Sequence, residues 1–194
     1  MNVVEIFYSL QGEGANMGKA AVFIRLAGCN FNCDFCDTEW KNGVEMTIEE
    51  ILHEVKKYPS KMLIWTGGEP TLQLNDEILA SFSDFYNCIE TNGSKLVPKK
   101  IDYISCSPKV SPQTLRKNFD FVDELRFPVK KNDALPEISE LPNAKNYFVS
   151  PIFYENNFEN DKKNAENINF CINFVKSHPK WQLSFQSHKF LKIA

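Results

Sequence analysis

Blocks of apolar positions recur along the chain, separated by short polar stretches, and their spacing changes from block to block. "AAVFIRLAG" (20–28) is nearly continuous in apolar residues, as a strand covered on both faces would be. "MTIEEILHEVKKYP" (46–59) has helical spacing. Ile48, Ile51, Leu52 and Val55 fall on one face, Thr47 and Glu50 form a capping box, and Pro59 stops the helix. "KMLIWTGGEP" (61–70) predicts a buried strand that ends in a glycine turn. "NDEILASFSDFY" (75–86) predicts a second helix capped by Asn75. "NCIETNG" (87–93), "IDYISCSPK" (101–109), "VDELRFPVK" (122–130) and "NAKNYFVSPIF" (143–153) predict four more strands, with an irregular stretch between the second and third of these. "NAENINFCINFVKSHPKW" (164–181) predicts a final helix, with Ile168, Cys171, Ile172 and Val175 on one face. The closing "QLSFQSHKFLKIA" is first strand-like, then short and polar.

Strands alternate with helices, so a parallel sheet with crossover helices is expected. Several connections are too short for full helices. At 194 residues the chain is also short for a complete eight-fold barrel, which takes about 250 residues. The prediction is an incomplete, curved α/β barrel built from residues 1–194 as a single domain. In such sheets chemistry gathers beyond the carboxyl ends of the strands. The segments "TGGEP", "ETNG", "CSPK", "VSP" and the cysteine-rich loop after "AAVFIRLAG" all fall there.

Composition leaves this picture unchanged: 43% of residues are hydrophobic and 24% charged, with 16 phenylalanines for an aromatic core. The net charge of -3, without a long basic run, argues against a nucleic-acid partner and leaves room for a local basic pocket. No apolar run reaches membrane-spanning length, and the first residues lack the pattern of a signal peptide. The expected location is the cytosol, with thiols reduced. Of the six cysteines, Cys88, Cys106 and Cys171 sit in apolar surroundings and are read as core residues.

The other three stand within "GCNFNCDFCDT", as Cys29, Cys33 and Cys36. Three soft ligands on one loop suit a metal centre, and no neighbouring fourth ligand completes a tetrahedral zinc site. Three thiolates on a four-iron, four-sulfide cubane leave one iron open. A zinc-binding interaction module is the non-catalytic alternative. In "TGGEP", Gly67 and Gly68 let backbone approach a ligand closely, and Glu69 can accept from an ammonium.

The C-x-x-x-C-x-x-C spacing, with aromatic Phe35 before the last cysteine and "TGGEP" downstream, resembles the radical S-adenosylmethionine (SAM) superfamily. That resemblance implies a partial TIM-like barrel. It also implies a 4Fe–4S cluster on Cys29, Cys33 and Cys36, whose open iron takes the amino and carboxylate groups of SAM. The cluster's electron then cleaves the sulfonium to a 5′-deoxyadenosyl radical. "SLQGEG" (9–14), with "ETNG", "CSPK" and the closing "QSHKFL", narrows the resemblance to the 7-carboxy-7-deazaguanine synthase family. The match is loose over 112–146 and 154–167. It implies a lyase of queuosine and deazapurine biosynthesis. The implied reaction takes 6-carboxy-5,6,7,8-tetrahydropterin, contracts its ring and releases ammonia. SAM serves as a cofactor, Mg2+ is required, and an external electron donor such as a flavodoxin and a homodimer are implied. A glycyl-radical activating enzyme is the nearest alternative within the superfamily.

The same resemblance assigns sites. Phe35, Cys36, Asp37, Gly67, Gly68, Glu69, Ser107, Pro108 and Lys109 fall on SAM-binding segments. Thr38 matches the magnesium ligand, a hard oxygen two positions after the last cysteine. Asp37 reads equally as a holder of the ion's water shell or as a turn residue. Substrate contacts are implied for Leu10, Gln11, Gly12, Glu13, Arg25, Thr66 and His188, and for the carboxylate of Ala194 in a tail that closes the pocket. Arg25 offers a planar fork for the substrate carboxylate, and an arginine in that apolar run is not expected to face solvent. His53 and His178 are read as surface or helix-end residues.

Overall fold

The computed structural model describes residues 1–36, 38–154 and 158–193, with backbone alone at 158 and 159. β1 (Asn2–Leu10) and β2 (Ala20–Leu26) form an antiparallel pair, with Leu10 opposite Ala20 and Phe7 opposite Phe23. β3 (Val44–Glu45) adds to the outer edge of β1. β4 (Met62–Gly67), β5 (Tyr86–Thr91), β6 (Tyr103–Cys106), β7 (Phe121–Val129), β8 (Asn143–Pro151) and β9 (Trp181–Leu183) then follow in parallel from β2. Among the described residues the sheet has nine strands in the order β3-β1-β2-β4-β5-β6-β7-β8-β9.

The sheet is therefore mixed, and the expectation of a wholly parallel one is corrected at its first edge. Residues 11–19 join β1 to β2, and a parallel crossover needs a dozen residues or more. β1 has the polar pattern "NVVEIFYSL", in which Val3 is buried while Asn2, Glu5 and Ser9 are interspersed, so alternation alone did not mark it.

α1 (Ile48–Val55) carries the predicted capping box: the Glu50 N–H donates to Thr47 Oγ1 at 3.2 Å and the Thr47 N–H to Glu50 Oε2 at 2.8 Å. α2 (Asp76–Ala80) is capped by Asn75, whose Oδ1 accepts from the Ile78 N–H at 2.9 Å. The stretch read as irregular contains α3 (Pro112–Asn118), started by Ser111 and by Pro at its first turn. α4 (Phe158–Ser177) begins earlier than its apolar pattern suggested. Its most buried face carries Asn164, Asn167 and Cys171, while Ile168 and Ile172 are only half-buried. The asparagines face inward because they satisfy loop backbone: Asn167 Nδ2 donates to the Ile152 carbonyl and its Oδ1 accepts from Lys131 N–H, both at 2.8 Å. α5 (Ser187–Leu191) follows β9 and is a helix where a polar tail was expected.

Two apolar clusters back the sheet. One gathers Ile24, Leu26, Ile51, Leu63, Phe82 and Ile89 around Trp65, whose ring meets Phe82 edge-on at 4.9 Å. Such aromatic pairs add about 0.5–1.5 kcal/mol beyond area burial. The other gathers Leu115, Leu125, Val149, Cys171 and Trp181. On the opposite face Ala21, Ile64, Cys88 and Tyr103 form a small apolar floor with Phe23. Along that face each strand turns polar toward its carboxyl end: Phe23 gives way to Arg25, Ile64 to Thr66, Cys88 to Glu90, and Tyr103 to Ser105. Register aligns this polar layer, with Arg25 opposite Thr66, Glu90 opposite Ser105, and Ser105 opposite Glu124.

Candidate active site

The polar layer opens into a cavity of about 540 Å³. Cys29, Cys33, Phe35 and Cys36 line one part of its wall, from the loop after β2. Gly67 and Gly68 line it from the turn after β4, with Thr66 at the end of that strand. The two loops are joined by backbone: Gly68 N–H donates to the Leu26 carbonyl at 2.9 Å and Glu69 N–H to the Gly28 carbonyl at 2.8 Å. A Cβ at Gly68 would strike the Gly28 carbonyl, so this approach requires glycine. A side-chain clamp adds to it, Asn92 Nδ2 donating to Asn30 Oδ1 and Asn30 Nδ2 to Ser94 Oγ, each at 2.9 Å.

All three loop cysteines are free thiols; Cys29 and Cys33 are half-buried and Cys36 is exposed. Burial raises the Cys33 thiol above its ordinary pKa, and the Lys109 ammonium opposes that. Among the described residues no group of three or more His, Cys, Asp or Glu side chains is gathered closely enough to hold one metal ion. The three thiols instead share the rim of the cavity. Cys88, Cys106 and Cys171 are buried in the core as expected. His53 is exposed on α1, and exposed His178 bonds the end of α4 through the Phe174 carbonyl at 2.9 Å.

Lys109 donates to Ser107 Oγ at 2.9 Å and lies 5.3 Å from the centre of the Phe35 ring. Burial lowers its pKa, partly offset by nearby Cys33. Ser107 and Lys109 line the cavity, whereas Pro108 is not in its wall.

The Glu69 side chain is 0% exposed and does not line the cavity. Oε1 accepts from Thr71 N–H at 3.1 Å, Thr71 Oγ1 at 2.6 Å and Thr91 Oγ1 at 2.8 Å, while Oε2 accepts from Asn92 N–H at 2.7 Å. This carboxylate, with four donors, clasps the β4 and β5 turns.

The opposite wall carries Leu10, Gln11, Gly12 and Glu13. Gln11 Nε2 donates to Glu90 Oε1 at 2.8 Å, and Glu13 pairs with Arg126 at 2.9 Å. Arg126 also contacts Glu90, and it meets Glu124 at 3.2 Å. Glu90 and Arg126 both line the cavity, and the sequence reading missed both. Their signal was a charged residue inside an apolar strand, the same one that marked Arg25. Burial raises the Glu90 pKa, with Arg126 the main opposing influence.

Arg25 lies near Thr38, Nη1 to Oγ1 being 3.5 Å. Its Nε pairs with Glu5 at 2.7 Å and its guanidinium lies 5.4 Å from the centre of the Phe7 ring. Arg25 and Thr38 both line the cavity. His188 enters from α5 beside Gly12, where a Cβ would run into the imidazole. Asp37 and Ala194 lie outside the described residues.

The radical SAM superfamily pattern matches residues 23–122, which takes in the second half of β2, the cysteine loop and the turns after β4, β5 and β6. The chain is 41% identical over 191 residues to a 7-carboxy-7-deazaguanine synthase of Bacteroides thetaiotaomicron, covering 97% of this chain and 96% of that one. It is 38% identical to the 7-carboxy-7-deazaguanine synthase of Haemophilus influenzae, over 99% of this chain and 93% of the relative. The crystal structure of QueE from Escherichia coli superposes with a TM-score of 0.69 at 22% identity, covering 96% of this chain and 94% of that one, which establishes the shared partial-barrel fold. With the thiol loop, the glycine turn and the "SLQGEG" wall facing one cavity, the chain belongs to the 7-carboxy-7-deazaguanine synthase family of the radical SAM superfamily.

Proposed function

We propose that this chain converts 6-carboxy-5,6,7,8-tetrahydropterin to 7-carboxy-7-deazaguanine, with ring contraction and release of ammonia. The observation that carries the reading is the polarity of the cavity. One side offers the acceptors Gln11, Glu13 and Glu90, and another offers the Arg25 guanidinium beside the Thr38 hydroxyl. The substrate has the complementary polarity, a donor-rich heterocycle edge and a carboxylate.

The donor set fits the cofactors. Three thiols sharing one stretch of the cavity rim suit a site-differentiated 4Fe–4S cluster on Cys29, Cys33 and Cys36. When bound, cluster and SAM together supply the radical that initiates the reaction. The chain's residues do the rest. Phe35, Cys36, Gly67, Gly68, Ser107 and Lys109 wall the SAM side, with glycine backbone admitting close approach. Thr66 and Leu10 flank the heterocycle. The Thr38 hydroxyl supplies one hard ligand to Mg2+, and water and substrate oxygens supply the others. A cation there beside Arg25 needs an anion to offset the repulsion, and the substrate carboxylate is suited to that place. Gly12 and His188 seat α5 against this wall, excluding water. An external one-electron donor of the flavodoxin kind and a homodimeric assembly belong to the same reading, on the strength of the family resemblance.

The test is anaerobic reconstitution followed by mass analysis of products from the tetrahydropterin. Formation of the deazaguanine acid that Arg25→Ala slows without loss of SAM binding is expected. SAM cleavage with no pterin-derived product would overturn the reading.

A further inference from the structure

We infer that Arg126 is a positioning residue for substrate recognition, holding Glu13 and Glu90 together as one acceptor pair at the heterocycle end of the cavity. The inference rests on the proposed pterin substrate and deepens it.

A single guanidinium nitrogen, Arg126 Nη2, meets Glu13 Oε2 at 2.9 Å and also contacts Glu90 Oε2. Glu13 comes from the segment after β1 and Glu90 from the end of β5. These elements are separated in the sheet by β2 and β4, so side chains bring the two acids together: Gln11 Nε2 holds Glu90 Oε1 at 2.8 Å, and Arg126 bridges Glu90 to Glu13. Arg126 is itself held from behind. Its Nη1 donates to Glu124 Oε1 at 3.2 Å. Glu124 in turn accepts from the Ser105 hydroxyl Oγ at 2.8 Å, the Tyr103 hydroxyl Oη at 2.9 Å and the Ala15 N–H at 2.9 Å. Glu124 is 2% exposed and Arg126 6%, so the rear of the device is desolvated, while Glu13 and Glu90 stay partly open to the cavity.

The charge balance gives the device its purpose. Three carboxylates surround this one guanidinium, so acids outnumber the arginine, and two of them, Glu13 and Glu90, face the cavity as acceptors. Buried like charges repel, and without the arginine the two cavity-facing acids would separate or take up a proton. Other titratable groups facing them are Cys88 on β5, Cys106 on β6 and Lys109 from the loop after it, with His188 and Lys189 from α5 lining the same cavity. Lysine cannot replace this contact pattern, because a point charge has no planar fork to meet Glu124 and the acid pair at once.

The experiment measures affinity of the reconstituted enzyme for 7-carboxy-7-deazaguanine by calorimetry across pH, in wild type, Arg126→Gln, Arg126→Lys and Glu13→Gln/Glu90→Gln. Arg126→Gln is expected to weaken binding roughly thirtyfold or more, by analogy with buried charge pairs. Loss of the guanidinium disfavours ionised Glu90, so the acid-side fall in affinity should move to higher pH. Arg126→Lys keeps the charge and should leave that fall near its wild-type position while restoring affinity only in part. Adding Arg126→Gln to the double glutamine variant should cost little more, which marks action through the acids. An unmoved acid-side fall, or a full additional loss in the triple variant, overturns the inference. Where Arg126→Gln fails to fold, the lysine variant decides: wild-type affinity in it overturns the inference. Absence of binding and turnover in wild type would instead bring down the pterin reading, and this inference with it.

Discussion

Ser187 donates twice to the Gly12 carbonyl, from its backbone N–H at 2.9 Å and from its hydroxyl at 2.9 Å. The two residues are 175 positions apart, so this clasp fastens α5 over the segment that leads from β1. His188, one residue further on, lies against Gly12 itself.

Gly12→Ala therefore displaces the imidazole or lifts α5. Substrate KM should rise on the order of tenfold, from about 1–2 kcal/mol of lost seating, with iron content unchanged. Steady-state kinetics beside iron analysis checks this, and an unchanged KM counts against a role for the helix in closing the cavity.

Cys29→Ala, Cys33→Ala and Cys36→Ala should each remove most of the iron and abolish 5′-deoxyadenosine formation. Cys88→Ala should retain both, since Cys88 lies buried on the apolar floor. Iron and sulfide analysis after anaerobic reconstitution reads this. A fully occupied cluster in the Cys33→Ala protein contradicts the assignment.

Glu69→Gln places an amide where four donors converge. At least one N–H or O–H then loses its acceptor, at about 1–3 kcal/mol for a buried group. Thermal or denaturant unfolding should show that loss. Wild-type stability combined with weakened SAM binding would contradict this structural role and mark Glu69 as a ligand contact.

Burial pushes the Cys88 thiol up to about 12, from an ordinary 9.0. The folded chain thus keeps a proton that the unfolded chain releases. This contribution is intact below about pH 9 and is lost as pH rises toward about 12. The slope is at most about 1.4 kcal/mol per pH unit for this thiol. Cys88→Ala should make the alkaline decline of unfolding free energy shallower by that amount; an identical slope contradicts it.

Much of this was legible in the residues. The thiol spacing, the glycine turn and the buried strands before them placed the loops correctly beyond the strand ends, because apolar runs and turn residues are local signals. β1 was not legible, since its partner lies across a short connection and its alternation is blurred by Asn2, Glu5 and Ser9. α4's buried Asn164 and Asn167 were hidden for a similar reason: they bond loop backbone distant in sequence. The hold of Glu69 on the β5 turn was not legible either, since its donors Thr91 and Asn92 come from another strand end. Glu90 and Arg126 each stand as a charge inside an apolar strand, but which charges meet is decided by strand register and pairing across the sheet.

The central claim is the ring contraction, and its most direct measurement is stoichiometry under turnover with 6-carboxy-5,6,7,8-tetrahydropterin, SAM, Mg2+ and a one-electron reductant. The account predicts 7-carboxy-7-deazaguanine and ammonia in equal amounts, many of each per SAM present. Irreversible consumption of SAM to 5′-deoxyadenosine, with the pterin recovered intact and no ammonia formed, would contradict it.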